Sequence, residues 1–199
     1  MNKINLHSLK QKLKSDSSLQ LLVATNLVII TIALAQQWNA VQVLFIYWGQ
    51  SVALGVINIF RIFTIKVASK ERIGRRAGIS AFFIFHYGLF HLVYLKFIFL
   101  IAEITKADLD YHLLFYPILL LFINHLFSFI KNRKKDNKLR KNLKEVMMYP
   151  YKRIKPMHIT IVVFLFIQVF LHNSGVLVFF MLLKTYADAK SHIIEHNLT

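Results

Sequence analysis

Apolar positions in this chain come in long unbroken runs, without the alternation of a half-buried strand or the narrow stripe of a soluble amphipathic helix. Six runs are long enough for a helix that crosses a bilayer, which needs roughly 17 to 25 residues. They are Leu19 to Ala35, Val41 to Ile65, Ile79 to Ile101, Leu113 to Ile130, Met157 to Leu171 and Gly175 to Ser191. The fifth is short before its His-Asn-Ser-Gly turn, and Pro156 suits a first helical position just ahead of it. The pattern predicts an all-α, polytopic bundle of six spans.

The segments between the runs set an orientation, because short cytoplasmic loops collect Lys and Arg. The leader holds Lys3, Lys10, Lys12 and Lys14. The 66–78 loop holds Lys66, Lys70, Arg72, Arg75 and Arg76, and the 131–155 loop holds eleven basic residues. With six spans all three fall on one side, and the opposite loops "QQWNA", "AEITKADLDYH" and "HNSG" carry one lysine, Lys106. Both termini are therefore expected in the cytoplasm, with residues 1–18 a basic leader and 19–199 a single transmembrane domain. The first run follows a polar stretch and has no clean cleavage site after it, so it reads as a retained span.

Composition agrees. The chain has 199 residues, 56% of them hydrophobic, with 18 Phe and a formal net charge of +16; the mean hydropathy is +0.51. A chain this apolar keeps its basic residues for one membrane face, so anionic inner-leaflet lipid is the expected partner and nucleic acid is not. The segment "LRKNLKEVMM" suits an interfacial helix there. A homo-oligomer is compatible with this small chain. Cysteine is absent, which removes thiolate metal sites, disulfides and cysteine nucleophiles.

Polar residues inside the runs are costly and mark function or helix contacts. Lys184, Asp188, His192 and His196 step by four and share one helical face. Gln50, Leu54, Asn58 and Arg61 or Ile62 form a second such stripe. With the orientation above, His86 lies about 10 Å in from the cytoplasmic side and His91 near mid-depth. His125 and His158 fall in the same leaflet. His86 and His91 are five residues apart, about 140° around a helix, and Gly88 beside His86 favours His86 as the residue facing a pocket. His125, after Asn124, reads as a hydrogen-bonding partner of a neighbouring helix.

The leading expectation is a pocket open to the cytoplasm in which His86, His158, Asp188 and His192 hold a divalent ion, zinc above others. Gln50, Asn58, Lys184, Tyr87 and Arg153 would orient ligands or substrate around it. Three ligands and an open position would activate water for hydrolysis at the inner leaflet. The alternatives are a small transporter or proton-conducting protein using the same residues, and a scaffold with a basic lipid-binding face. Soluble-enzyme motifs are absent, and a serine-histidine dyad lacks a serine in a glycine-rich setting.

The stretches "YWGQSVALGVINIFRI", "FFIFHYGLFHLVYL", "YPYKRIKPMHITIV" and "LLKTYADAKSHIIEH" together resemble a family of small bacterial and archaeal membrane proteins known only as a domain of unknown function. The resemblance runs from the second span to the end. It rests on His86, Tyr87 and Gly88; on Pro150, Tyr151, Arg153 and His158; and on Lys184, Asp188 and His192. It implies the plasma membrane of a prokaryote and supports this choice of residues, with no activity attached. Gln50 stands where members of that family often carry an acidic residue, and His91 is offset from their usual histidine near the position of Tyr94.

Overall fold

The computed structural model describes residues 6–66, 73–138, 142–151 and 174–195. Among the described residues every regular element is a helix: α1 (Leu6–Ser15), α2 (Ser17–Ala35), α3 (Ala40–Thr64), α4 (Ile73–Thr105), α5 (Tyr111–Lys138), α6 (143–151) and α7 (Ser174–Glu195). Four of them, α2 to α5, are long and apolar enough to cross a membrane. The expected sixth span is the helix α7, which carries Lys184, Asp188 and Lys190 and is not among those four. The expected fifth span lies outside the described residues, as does His158.

The helix ends follow from local chemistry. Asp16 caps α2, its Oδ1 accepting from the backbone N–H groups of Ser18 at 2.8 Å and Leu19 at 3.3 Å. Asp110 does the same for α5 through His112 and Leu113. α2 and α4 end in matching turns. Gln37 and Lys106 take positive φ of 53° and 51°. The next N–H reaches back five residues, from Trp38 to the Ala33 carbonyl and from Ala107 to that of Ala102. α3 ends differently: the Arg76 guanidinium donates to the carbonyls of Ile62, Phe63 and Ile65, groups that a helix end leaves without partners. Arg76→Ala should cost about 1 kcal/mol, readable as a lower unfolding midpoint that Arg76→Lys restores in part.

The chain divides into two compact units. The first joins residues 1–40 to 151–199. Its centre is an apolar cluster of Leu19, Leu22, Ala189 and Ile193, with Leu13 and Val23 against it, where the first turns of α2 meet the last turns of α7. The two ends of this unit's described chain therefore come together.

The second unit, residues 41–150, is built on α3. Phe45 packs near Phe99, Trp48 Nε1 donates to the His91 carbonyl, Gly55 faces Tyr87, and Ile62 meets Arg76. Rising numbers on α3 thus meet falling numbers on α4, so the two are antiparallel. On α5 the order rises: Phe45 with Tyr111, Gly49 with Ile118, Gln50 with His125, and the Lys66 N–H with Asn137. α3 and α5 are therefore parallel. Leu143, Val146 and Tyr149 of α6 close the end of α3 against Ile62 and Ile65, with Ile79 of α4 alongside.

Candidate functional site

α3 and α4 face each other through two stripes of buried residues. On α3, Ser51, Gly55 and Asn58 lie on one face; on α4, Ser80, Phe83, Tyr87 and His91 do. All the side chains in these stripes are buried. The seam between them is polar at both ends of this stretch.

At one end the polar groups are bonded. His91 Nε2 lies 2.9 Å from Ser51 Oγ, and His91 Nδ1 lies 2.8 Å from the Tyr87 carbonyl. A carbonyl only accepts, so Nδ1 carries the proton and the Nε2 of the neutral ring is the acceptor. The Ser51 hydroxyl therefore donates to His91. Tyr87 Oη lies 3.0 Å from Ser51 Oγ and donates to the Ser51 carbonyl at 2.8 Å, while its ring stacks on His91 with centroids 4.2 Å apart. Gly55 makes room for that ring: a Cβ there would stand 2.5 Å from Tyr87 Cε1.

At the other end the groups have no partner. The Asn58 amide and the Ser80 hydroxyl are buried with no hydrogen bond from any of the described residues. Asn58 lies between the Gly55–Tyr87 and Ile62–Arg76 contacts on α3, and Ser80 between Tyr87 and Arg76 on α4, so the two share a level. An uncompensated buried amide costs on the order of several kcal/mol where no water is at hand. Asn124 on α5 is a third such group, one residue before His125, which bonds Gln50 at 2.8 Å.

The first unit holds a second serine-histidine pair with the opposite polarity. Ser18 Oγ lies 2.7 Å from Asp16 Oδ1 and 3.1 Å from His192 Nε2, and His192 Nε2 is 3.6 Å from Asp16 Oδ2. The His192 imidazole beside it holds the Asp16 carboxyl well below the usual carboxylate range; the bonds from Ser18 add to this, and burial opposes it. An ionised carboxylate takes the Ser18 proton, so His192 has to donate to Ser18. This pair fastens a helix cap, and His192 is not placed as a base for Ser18. Next to it, Lys184 and Asp188 form an ion pair of 2.7 Å along α7, both buried.

The residues expected to hold a metal ion are distributed accordingly. Asp188 is bonded to Lys184 and His192 to Ser18, both in the first unit. His86 belongs to the second unit and is half-buried, its ring between Phe82 and Phe90 of its own helix. His158 and Arg153 lie outside the described residues. Among the described residues no three of His, Asp and Glu come close enough to share an ion. In the seam it is His91, not His86, that turns inward, with Tyr87. Gly88 has open space beside it, and the glycine that permits close approach is Gly55, on the facing helix. Sequence inspection missed Ser51, Ser80, Asp16 and Ser18. The signal for the seam was there in two spacings of four, Ser51 with Gly55 and Tyr87 with His91.

A family model described as a family of unknown function (DUF6498) matches residues 8–199. No curated protein and no solved structure matches the chain.

Proposed function

The chain belongs to that family of unknown function, so its activity has to come from its own geometry, and we propose that it is an integral membrane protein that binds a small uncharged polar group in the seam between α3 and α4. The carrying observation is the pair Asn58 and Ser80, buried at one level without hydrogen-bond partners among the described residues. An amide and a hydroxyl offer both donors and acceptors and no charge, so the group they suit is a hydroxyl or amide. The ligand comes from the lipid side: the outward face of α4 is exposed at Phe82, Phe85, Leu89, Leu92 and Val93, and α3 and α4 are both apolar enough to span. An uncharged hydroxylated headgroup on a single acyl or alkyl chain fits these terms. In this reading both chain ends and the basic loops face the cytoplasm; the meeting of α2's start with α7's end in the first unit supports placing those two helix ends on one side.

The test uses a non-hydrolysable probe, a 1-O-alkylglycerol, added to the detergent-purified full chain. Its binding should raise the unfolding midpoint by several degrees, and Asn58→Leu should remove that response. Without probe, Asn58→Leu should be neutral or stabilising by about 1 to 3 kcal/mol, because it deletes an unpaired buried amide. A wild-type chain indifferent to the probe, together with a destabilised Asn58→Leu variant, would overturn the reading.

A further inference from the structure

Of the two serine-histidine pairs, only one points its proton the way a nucleophile requires. We propose that Ser51 and His91 form a membrane-embedded acyl-transfer dyad, Ser51 as nucleophile and His91 as general base. Three observations carry this. The Ser51 Oγ to His91 Nε2 distance of 2.9 Å is within reach for proton transfer. The bond of Nδ1 to the Tyr87 carbonyl at 2.8 Å fixes the tautomer in which Nε2 accepts, the role a third group plays in such sites. The Tyr87 ring stacked on His91 holds its plane, and Tyr87 Oη, donating to the Ser51 carbonyl at 2.8 Å, fastens the backbone that carries the nucleophile.

The substrate class follows from the seam and rests on the reading above: a carboxylic ester whose acyl chain comes from the lipid and whose uncharged hydroxylated alcohol portion lies toward Asn58 and Ser80. Asn58 is seven residues beyond Ser51, about 10 Å along the same face of α3. In the first step Ser51 Oγ bonds to the ester carbonyl carbon as its proton passes to His91 Nε2. The carbon to alcohol-oxygen bond then breaks, and His91 returns the proton to the departing alcohol. In the second step water attacks the acyl-serine, its proton passing to His91 and then to Ser51 Oγ, and the fatty acid leaves. No oxidant or reductant is involved.

A lipophilic fluorophosphonate tests the dyad directly, since a serine paired with a base displaces its fluoride and keeps the phosphonyl group. Incubated with the purified full chain in nanodiscs, it should leave one adduct, mapped by peptide mass to Ser51. Mapping on the wild-type chain needs no variant. His91→Asn should slow labelling by about a hundredfold, with an unfolding midpoint that shows the chain still folded, and Ser18→Ala should label as the wild type does. An unlabelled Ser51, an adduct on Ser18, or a folded His91→Asn chain that labels at the wild-type rate would each overturn the proposal. The two readings fail separately: alkylglycerol binding without labelling removes the dyad alone, and labelling without alkylglycerol binding removes the headgroup site alone.

Discussion

Gly55→Ala should cost about 2 to 3 kcal/mol of stability and abolish fluorophosphonate labelling, although alanine is the better helix former by about 1 kcal/mol. The new methyl would stand 2.5 Å from Tyr87 Cε1 and 3.0 Å from Cδ1. That ring cannot swing away, because Phe83 stacks on it at 4.7 Å between centroids and His91 at 4.2 Å. Moving Tyr87 breaks its bonds to Ser51 and shifts the carbonyl side of the His91 anchor. A double-mutant cycle isolates the cause. In a Tyr87→Ala background the same Gly55→Ala change should cost nothing and recover the helix-propensity gain; an undiminished cost there would place the strain elsewhere.

Asp16→Ala should be comparably damaging, by about 2 to 4 kcal/mol, for a different reason. It removes the α2 cap, worth about 1 kcal/mol, and leaves the Ser18 hydroxyl without its acceptor and His192 without the carboxylate beside it. The acid dependence follows from the lowered pKa of Asp16. A carboxyl with a folded value below its unfolded value, about 3.9, contributes stability in full above that range and loses it as the pH falls through the folded value. Chemical unfolding followed downward from pH 5 should therefore show a steeper loss for the wild type than for Asp16→Ala. Parallel acid limbs in the two proteins would mean that the carboxylate is not the group His192 serves.

Hydrophobic runs located the described helices well, because burial in an apolar phase demands length above all. Leu19 to Ala35, Val41 to Ile65 and Gly175 to Ser191 became α2, α3 and α7 within a few residues. The runs at Ile79 and Leu113 underestimated α4 and α5, which extend to Ile73 and Lys138 through "IGRRAG" and "KNRKKDNK". A helix keeps its hydrogen bonds after leaving apolar surroundings, so hydropathy marks where the apolar part ends and not the helix. The site was less legible. Which of His86 and His91 turns inward depends on the rotation of α4, and that is set by Gly55 on α3, a partner no local pattern identifies. The Ser18 to His192 bond joins positions 174 residues apart, beyond any local spacing rule, although Asp16 ahead of an apolar run was a readable cap.

The antiparallel and parallel packing around α3 bears on how the chain is made. α3 carries Gln50, Ser51, Asn58 and Arg61, all buried, and it leaves the ribosome before either helix that shields them. Ser51 acquires its partners when Tyr87 and His91 arrive, and Gln50 waits for His125. Until α5 has been synthesised, these polar groups lack their covering, so under the membrane reading proposed above α3, α4 and α5 are expected to be released into lipid as a group. Nascent chains arrested after α3 should accordingly remain beside the insertion machinery, where site-specific crosslinking would find them, and those extended past Lys138 should not.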